Sequence, residues 1–408
     1  MKIAIMGHGV VGSGVVEVLH KNAESIAKKA GQPIEIKYIL DRRSFPELPY
    51  GDLFVQSFET IRDDPQVGVV VEVMGGVEPA YSFAKACLER GKSVITSNKE
   101  LVAAKGAELL ALADQNHVNF FFEASVGGGI PIVKPLHLCL GANEISEIAG
   151  ILNGTTNFIL TKMIREGMAF EEALALAQEL GYAEKDPTAD VEGHDACRKI
   201  CILASLAFGR HIYPQYVHCQ GISKITAADV AYAEQWGGVI KLIGRAKRLE
   251  NGRVAIQVSP AFISRESQLA GVDDVFNGIL VRGDATGDVV FYGKGAGKLP
   301  TASAVVSDVI DAVRANDTVK TLQWQDAQGD VTQPFDDCPV EAYIRVKAGE
   351  NAQAKVKVLF ADHTLLAPQE GELAFVARGL TEGTLADKLA ALNENDLTVL
   401  GCIRVLDY

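Results

Sequence analysis

What this chain lacks narrows its biology first. No apolar run approaches the roughly 20 residues that a membrane-spanning helix needs. There is no basic surplus either: 39 Lys and Arg against 52 Asp and Glu leave a net charge of −13. That balance argues against a nucleic-acid surface and gives no attraction to anionic membranes. The opening Met1-Lys2-Ile3-Ala4-Ile5-Met6-Gly7 reaches a glycine too soon for a signal peptide, and nothing like a cleavage site follows. Seven cysteines, an odd number scattered from Cys87 to Cys402, make no disulfide framework. Together these absences predict a cytoplasmic protein.

Some chemistry is excluded as well. No Gly-x-Ser-x-Gly is present and no cysteine sits in a nucleophile motif, so acyl-enzyme chemistry has no candidate. His194, Cys197 and Cys201 lack a second Cys/His pair to complete a metal site, and they read as packing residues. Gly293-Lys294-Gly295-Ala296-Gly297-Lys298 is only a partial phosphate loop. Tyr292 stands where its first glycine belongs, and Leu299 replaces the Ser/Thr. Long repeats and low-complexity tracts are missing too.

What is present is a globular composition, 48% hydrophobic and 22% charged, over 408 residues, enough for two or three domains. Strand patterns at Lys2–Met6, Ile34–Leu40, Val67–Val73, Ser93–Thr96 and Asn119–Glu123 alternate with helical ones beginning near Val10 and at Pro79–Arg90 and Gly106–Asn116. That rhythm predicts an α/β fold, a Rossmann-type doubly wound parallel sheet, over residues 1–130. From 131 to 298 the pattern becomes α+β, with helices expected at 131–140, 154–166, 170–180, 193–207 and 226–247 and strands at 144–151, 254–262 and 278–284. An amphipathic helix follows at 299–315. It extends toward 320 and is expected to pack back on the first domain. Residues 316–337 read as a linker, and 338–408 as a small C-terminal α+β module.

Gly7-His8-Gly9-Val10-Val11-Gly12 is a G-x-G-x-x-G set between a strand and a helix. There the glycines allow a tight turn and close backbone approach to a pyrophosphate at the helix N-terminus. At the end of the second strand, Asp41 suits the ribose hydroxyls of NAD, whereas Arg42 suits the extra phosphate of NADP. Asp41 comes 29 residues after Gly12, later than usual, because Asn22–Gly31 extends the first helix. The two signals oppose each other, with a slight lean to NAD.

Thr96-Ser97-Asn98-Lys99-Glu100 follows the fourth strand at its carboxyl end, where open parallel sheets bind ligands. Lys99 there could meet cofactor or substrate. Glu123 ends the fifth strand beside Gly127-Gly128-Gly129, a turn that could offer carbonyls to a monovalent cation or simply act as a hinge. Asn153-Gly154-Thr155-Thr156-Asn157 is a strand-to-helix turn rich in capping groups. Residues 181–199 concentrate Glu184, Asp186, Asp190, Glu192 and Asp195 just ahead of Lys199. Asp195 and Lys199 stand four apart on one helical face, with the acid on the favourable N-terminal side. An acidic helix start suited to the macrodipole would read the same.

These motifs, in this order, resemble homoserine dehydrogenase: the first glycine loop, Thr-Ser-Asn-Lys-Glu, Glu-Ala-Ser-Val-Gly-Gly-Gly-Ile-Pro, Leu-Asn-Gly-Thr-Thr-Asn, the 181–199 block and Gly-Lys-Gly-Ala-Gly-Lys-Leu-Pro-Thr-Ala-Ser-Ala-Val. The resemblance spans residues 1 to about 320. It implies reversible NAD(P)H-dependent reduction of L-aspartate 4-semialdehyde to L-homoserine, on the route to threonine and methionine. Lys199 then matches the proton-donating lysine, and Lys99 the lysine between cofactor and substrate. Glu184, Asp190 and Asp195 match the substrate-binding acids. Gly7, Gly9, Val10, Val11, Gly12, Asp41, Arg42, Thr96, Lys99 and Gly295 fall on the cofactor side. Glu123, Val126, Gly128 and Ile130 match a sodium site, with Glu123 and backbone carbonyls as ligands. The resemblance also implies pairing through the α+β domain into a homodimer or higher homo-oligomer, and an ACT-like regulatory module at 338–408. The tail departs from that module's usual Pro-Gly turn with Lys347-Ala348-Gly349-Glu350-Asn351.

Overall fold

Six short strands, most of them apolar on both faces, build the first sheet: β1 (Lys2–Met6), β2 (Glu35–Leu40), β3 (Phe54–Val55), β4 (Val67–Glu72), β5 (Ser93–Thr96) and β6 (Phe120–Phe121). In this computed structural model, which describes residues 1–315, 322, 324–327, 331–369, 371–406 and 408, they lie all parallel in the order β3-β2-β1-β4-β5-β6. This is the doubly wound dinucleotide-binding order. Its direction of growth reverses between β1 and β4, so a crevice opens beyond their carboxyl ends. Ile3, Ala4, Ile5, Met6, Val70 and Val71 are wholly buried, as fully covered parallel strands require.

Two details differ from the sequence reading. The helix expected from Gly106 begins at Lys99, because the Asn98 side chain accepts from Leu101 N (3.1 Å) and caps it seven residues earlier. The long first helix breaks at Asn22 into Val10–Lys21 and Ala23–Ala30.

The chain divides into two units, both discontinuous in sequence. The first joins Met1–Ile145 with Cys201–Pro214 and Gly293–Asp330. Within it, the helix Lys298–Arg314 returns to the helix Val10–Lys21, where Lys298 pairs with Glu17 at 2.7 Å. Residues 316–320 of the expected helix, and 321, 323 and 328–330 of the expected linker, lie outside the described residues. The second unit joins Ser146–Ile200, Gln215–Tyr292 and Val331–Tyr408.

The second unit is organised on a ten-stranded sheet: β7 (Ile145–Ile151), β8 (His218–Cys219), β9 (Gly238–Arg248), β10 (Val254–Ser264), β11 (Phe276–Gly283), β12 (Gly287–Lys294), β13 (Pro339–Lys347), β14 (His363–Leu365), β15 (Glu372–Thr381) and β16 (Val399–Leu406). Its order is β12-β11-β7-β9-β10-β16-β13-β15-β14, with β8 beside β10. The helix expected over 226–247 is overturned here. Only Ala227–Trp236 is helical, left-handed Gly237 ends it, and Gly238–Arg248 runs antiparallel to the whole of β10. Val239, Ile240 and Ile243 carry the β propensity that helical spacing concealed.

The tail has the order β13, helix Ala352–Leu359, β14, β15, helix Glu382–Glu394, β16, a ferredoxin-like βαββαβ arrangement consistent with an ACT-like module. It is not separated by contacts, because β16 pairs parallel with β10 and so continues the sheet. Two buried ion pairs reinforce that junction. Arg345 meets Asp229 (3.1 Å), and Arg404 grips both oxygens of Glu382 (2.6 and 2.9 Å) while also donating to Gln220.

Candidate active site

The glycine loop sits where the sheet order reverses. A Cβ on Gly12 would lie 2.0 Å from the Gly7 carbonyl oxygen, so only glycine lets the helix start so close to the strand. A Cβ on Gly9, by contrast, would meet nothing within 4 Å, and no side chain caps the helix that Gly9 opens. Val10 is exposed and Val11 half-buried at that helix start, leaving its N–H groups accessible.

Beside the loop is a cavity of about 570 Å³, walled among others by Gly7, Gly9, Asp41, Arg42, Met74 and Phe83. Phe58 and Phe83 stack along it with centroids 4.0 Å apart. His8 also lines it. Burial pulls its imidazole below the ordinary value of 6.5 against the opposing charge of Asp41, and its buried Nδ1 has no partner among the described residues. A glycine loop opening on an apolar-sided cavity of this size fits a ligand such as a dinucleotide.

Asp41 is already engaged. It accepts from His8 N, Arg43 N, Arg43 Nε and Arg43 Nη2 at 2.9–3.1 Å, and the Arg43 guanidinium holds its carboxyl well below the usual range. Glu72, which the sequence reading missed, ties the neighbouring strand ends together. Wholly buried at the end of β4, it accepts from Thr96 Oγ1 (2.6 Å) and Met74 N (2.8 Å). Thr96 Oγ1 accepts in turn from Asn98 N, and Asn98 Nδ2 reaches the Gly76 carbonyl (2.9 and 2.5 Å). This lattice positions the N-terminus of the helix that Lys99 opens. An acid closing the valine run of β4 was the available signal.

The second constellation lies in the other unit. Lys199, on the helix His194–Phe208, places Nζ 2.8 Å from Asp195 Oδ2 and 2.8 Å from the Leu152 carbonyl oxygen. Asn153 caps the helix Gly154–Glu166 by accepting from Thr156 N, while its Nδ2 donates to Asp190 (2.7 Å) and Asp195 (2.9 Å). The fold therefore gathers Asp190, Asp195 and Lys199 around an asparagine that looked in the sequence like a plain cap. The remaining acids of the block divide. Asp186 caps Thr188, Glu192 accepts from Ser223, and Glu184 stands exposed.

Glu123 is the hub of a third cluster. Its two carboxylate oxygens accept from the backbone N–H groups of Ile132, Val133 and Lys134 (2.7, 2.9 and 2.7 Å). Its own N–H donates to buried Asp308, which pairs with Lys134 at 2.9 Å. Burial pushes the Asp308 carboxyl up to about 7, against the pull of that lysine. Gly128 has φ +57°, and a Cβ there would lie 2.3 Å from the Gly295 carbonyl, so the turn and the late glycine loop touch backbone to backbone. Val126 and Ile130 are buried beside it. Three of the roughly four lone-pair positions on Glu123 are used. A cation at this turn would therefore rest mainly on backbone carbonyls, an oxygen-only donor set that suits a hard ion.

A switch-point cavity behind a glycine loop in one unit, and a lysine–carboxylate cradle in the other, define a nicotinamide-dependent oxidoreductase. The homoserine dehydrogenase profile matches residues 131–310, and that of the homoserine dehydrogenase NAD-binding domain matches residues 7–123. The chain belongs to the homoserine dehydrogenase family. The homoserine dehydrogenase of Synechocystis is 47% identical over 322 residues, 77% of this chain and 73% of that protein. That of Neisseria gonorrhoeae is 39% identical over 95% of this chain and 90% of that one. Among solved structures, the Thiobacillus denitrificans homoserine dehydrogenase superposes with TM-score 0.91 at 36% identity, over 100% of this chain and 98% of that one. A hyperthermophilic archaeal homoserine dehydrogenase in complex with NADPH gives 0.66 at 28% identity, over 76% and 97%. No helix of the described residues is long and apolar enough to cross a membrane.

Proposed function

We propose that this protein catalyses the reversible NAD(P)H-dependent interconversion of L-aspartate 4-semialdehyde and L-homoserine, with Lys199 as proton donor. The observation that carries this reading is the buried Lys199 ammonium, fixed between Asp195 and the Leu152 carbonyl within one asparagine's reach of Asp190. When bound at the Gly7–Gly12 loop, the dinucleotide supplies or accepts the hydride.

The chain's own residues do the rest. As the aldehyde oxygen gains charge, Lys199 offers both a positive charge and a proton. Asp195 aims that ammonium, and Asn153 holds Asp195 and Asp190 in register. Asp190 suits the ammonium of an amino-acid substrate, and the family resemblance assigns Glu184 to the same task and Lys99 to the place between cofactor and substrate. Gly7, Gly9, Gly12, the N–H groups at Val10 and Val11, Asp41, Arg42, Thr96 and Gly295 form the cofactor side.

The reading extends to a sodium ion held by Glu123 and the carbonyls of Val126, Gly128 and Ile130, where it would brace the turn. It also includes a homodimer or larger homo-oligomer, as the family resemblance implies, and a cytoplasmic setting suited to seven free thiols. The test is direct: add homoserine with NAD or NADP and follow the near-ultraviolet absorbance of the reduced nicotinamide. A rise supports the assignment, and no rise with either cofactor sinks it. Running the assay and a thermal melt in sodium and in choline chloride tests the ion. Identical curves would remove it.

A further inference from the structure

Deep in the second unit sits a charged side chain that the proposed reaction does not use. Lys241, on β9, is 1% exposed. Its three ammonium donors meet three oxygens: the Val272 carbonyl, Asp273 Oδ1 (3.0 Å) and Asn157 Oδ1 (3.3 Å). Burial pulls that ammonium below the ordinary value of 10.5, against the opposing charge of Asp273. A buried charge of this kind is costly to desolvate, and an apolar side chain of similar volume often serves stability equally well. What an apolar side chain cannot do is orient an amide. Lys241 donates to the oxygen of Asn157 and so turns its Nδ2 toward the carbonyls of Val272, Asp274 and Phe276, 3.0–3.1 Å away.

Asn157 lies one turn beyond Asn153 on the helix Gly154–Glu166, and its N–H donates to the Asn153 carbonyl (3.3 Å). Asn153 Nδ2 in turn holds Asp190 and Asp195, and the preceding Leu152 carbonyl accepts from Lys199. The strand presses on the same place directly. A Cβ on Gly244 would lie 3.0 Å from Leu152 Cδ1 and 3.3 Å from Ile200 Cβ, so β9 backs the acceptor of that bond and the neighbour of its donor. Resting on the reading of Lys199, Asp190 and Asp195 as the substrate cradle, we infer that Lys241 is a positioning residue for the reaction, fixing the Asn157 amide and through it the helix turn whose cap, Asn153, holds both acids. It acts through two asparagines rather than on the reacting atoms. Its influence reaches how homoserine is held and how Lys199 is aimed, and it leaves the dinucleotide alone, since the glycine loop belongs to the other unit.

Lys241→Met keeps the stem of the side chain and removes the ammonium. Two of its three partner residues keep another partner, Val272 in Asn157 and Asp273 in Arg165 (2.8 Å), so the variant should still unfold cooperatively in urea. Its kcat with homoserine should fall roughly 10- to 100-fold, the scale of an ångström-sized misplacement, and its KM for homoserine should rise. KM and calorimetric affinity for the dinucleotide should not move. Lys241→Gln, a milder change that keeps a donor, should show the same pattern at smaller size, and it carries the test if the methionine variant does not fold. Asn157→Leu should reproduce the loss, and adding Lys241→Met to it should cost little more in kcat/KM, because both substitutions act on one amide. A folded Lys241 variant with unchanged constants for homoserine, a parallel fall in dinucleotide affinity, or losses that multiply in the double variant would overturn the inference. If the unaltered protein turns over homoserine with neither dinucleotide, the catalytic reading falls and this inference with it, a failure visible before any variant is made.

Discussion

Replacing Lys199 with Met keeps the length and apolar stem of the side chain and removes only the ammonium, so two consequences can be separated. The first is thermodynamic. Asp195 is 4% exposed and Lys199 7%, so the substitution leaves a buried carboxylate facing a thioether instead of a cation. Breaking such a pair costs about 3–5 kcal/mol, because the remaining charge cannot recover its hydration. Asn153 Nδ2 still donates to Asp195, which places the expected loss toward the lower end. The second consequence is kinetic. Losing a positioned proton donor lowers kcat by roughly 10²- to 10⁴-fold.

Adding Asp195→Asn to Lys199→Met removes the stranded charge while leaving an amide in the same volume. The double variant should regain most of the lost stability in a urea titration and none of the lost turnover. Cofactor binding, measured by calorimetry, should stay near its original value in both variants, because the lysine and the glycine loop belong to different units. A single variant that retains kcat within about tenfold would refute the proton-donor role. Recovery of turnover together with stability would show that Lys199 mattered only as a structural partner.

Two further outcomes follow from the same physics. His211 is buried, its Nε2 lies 2.9 Å from the Ala103 carbonyl, and its Nδ1 accepts from the Trp324 indole, so it must be neutral with the proton on Nε2. Burial lowers its folded pKa below the unfolded value of about 6.5. The unfolded chain therefore binds more protons in that window. The histidine's contribution is complete above pH ~6.5 and is lost as pH falls toward the folded value. Relative to His211→Gln, the unaltered protein should lose stability between pH 7.5 and 5 in matched denaturant titrations, and parallel curves would contradict this. Arg404→Met strands Glu382 in the same way that Lys199→Met strands Asp195. It should cost about 3–5 kcal/mol, largely restored by adding Glu382→Leu, and a single variant as stable as the original would refute the role given to that pair.

Much of the first unit was legible because its signals are local. A strand, a glycine loop and a helix start are adjacent in sequence, and β4 and β5 announce themselves as short apolar runs. The three-residue edge strand β14 and the two-residue β3 were not read, since so few residues carry no period. The helix expected over 226–247 failed for the opposite reason. Its apolar residues fit both periods, and only the eleven-residue ladder with β10 decided the matter.

Within the site, the residue types and their spacing determined that an acid and a lysine share one helical face at 195 and 199, and that a dinucleotide loop opens the chain. The sequence could not say which of the five acids at 184–195 are structural, that Asn153 bridges two of the others, or that Glu72 ties Thr96 to the Met74 turn. The deciding contacts, Asn153 with Asp190 and Asp195, Glu192 with Ser223 and Glu72 with Thr96, join residues far apart along the chain, and hydrogen bonds of that kind exist only after the backbone has been folded into register.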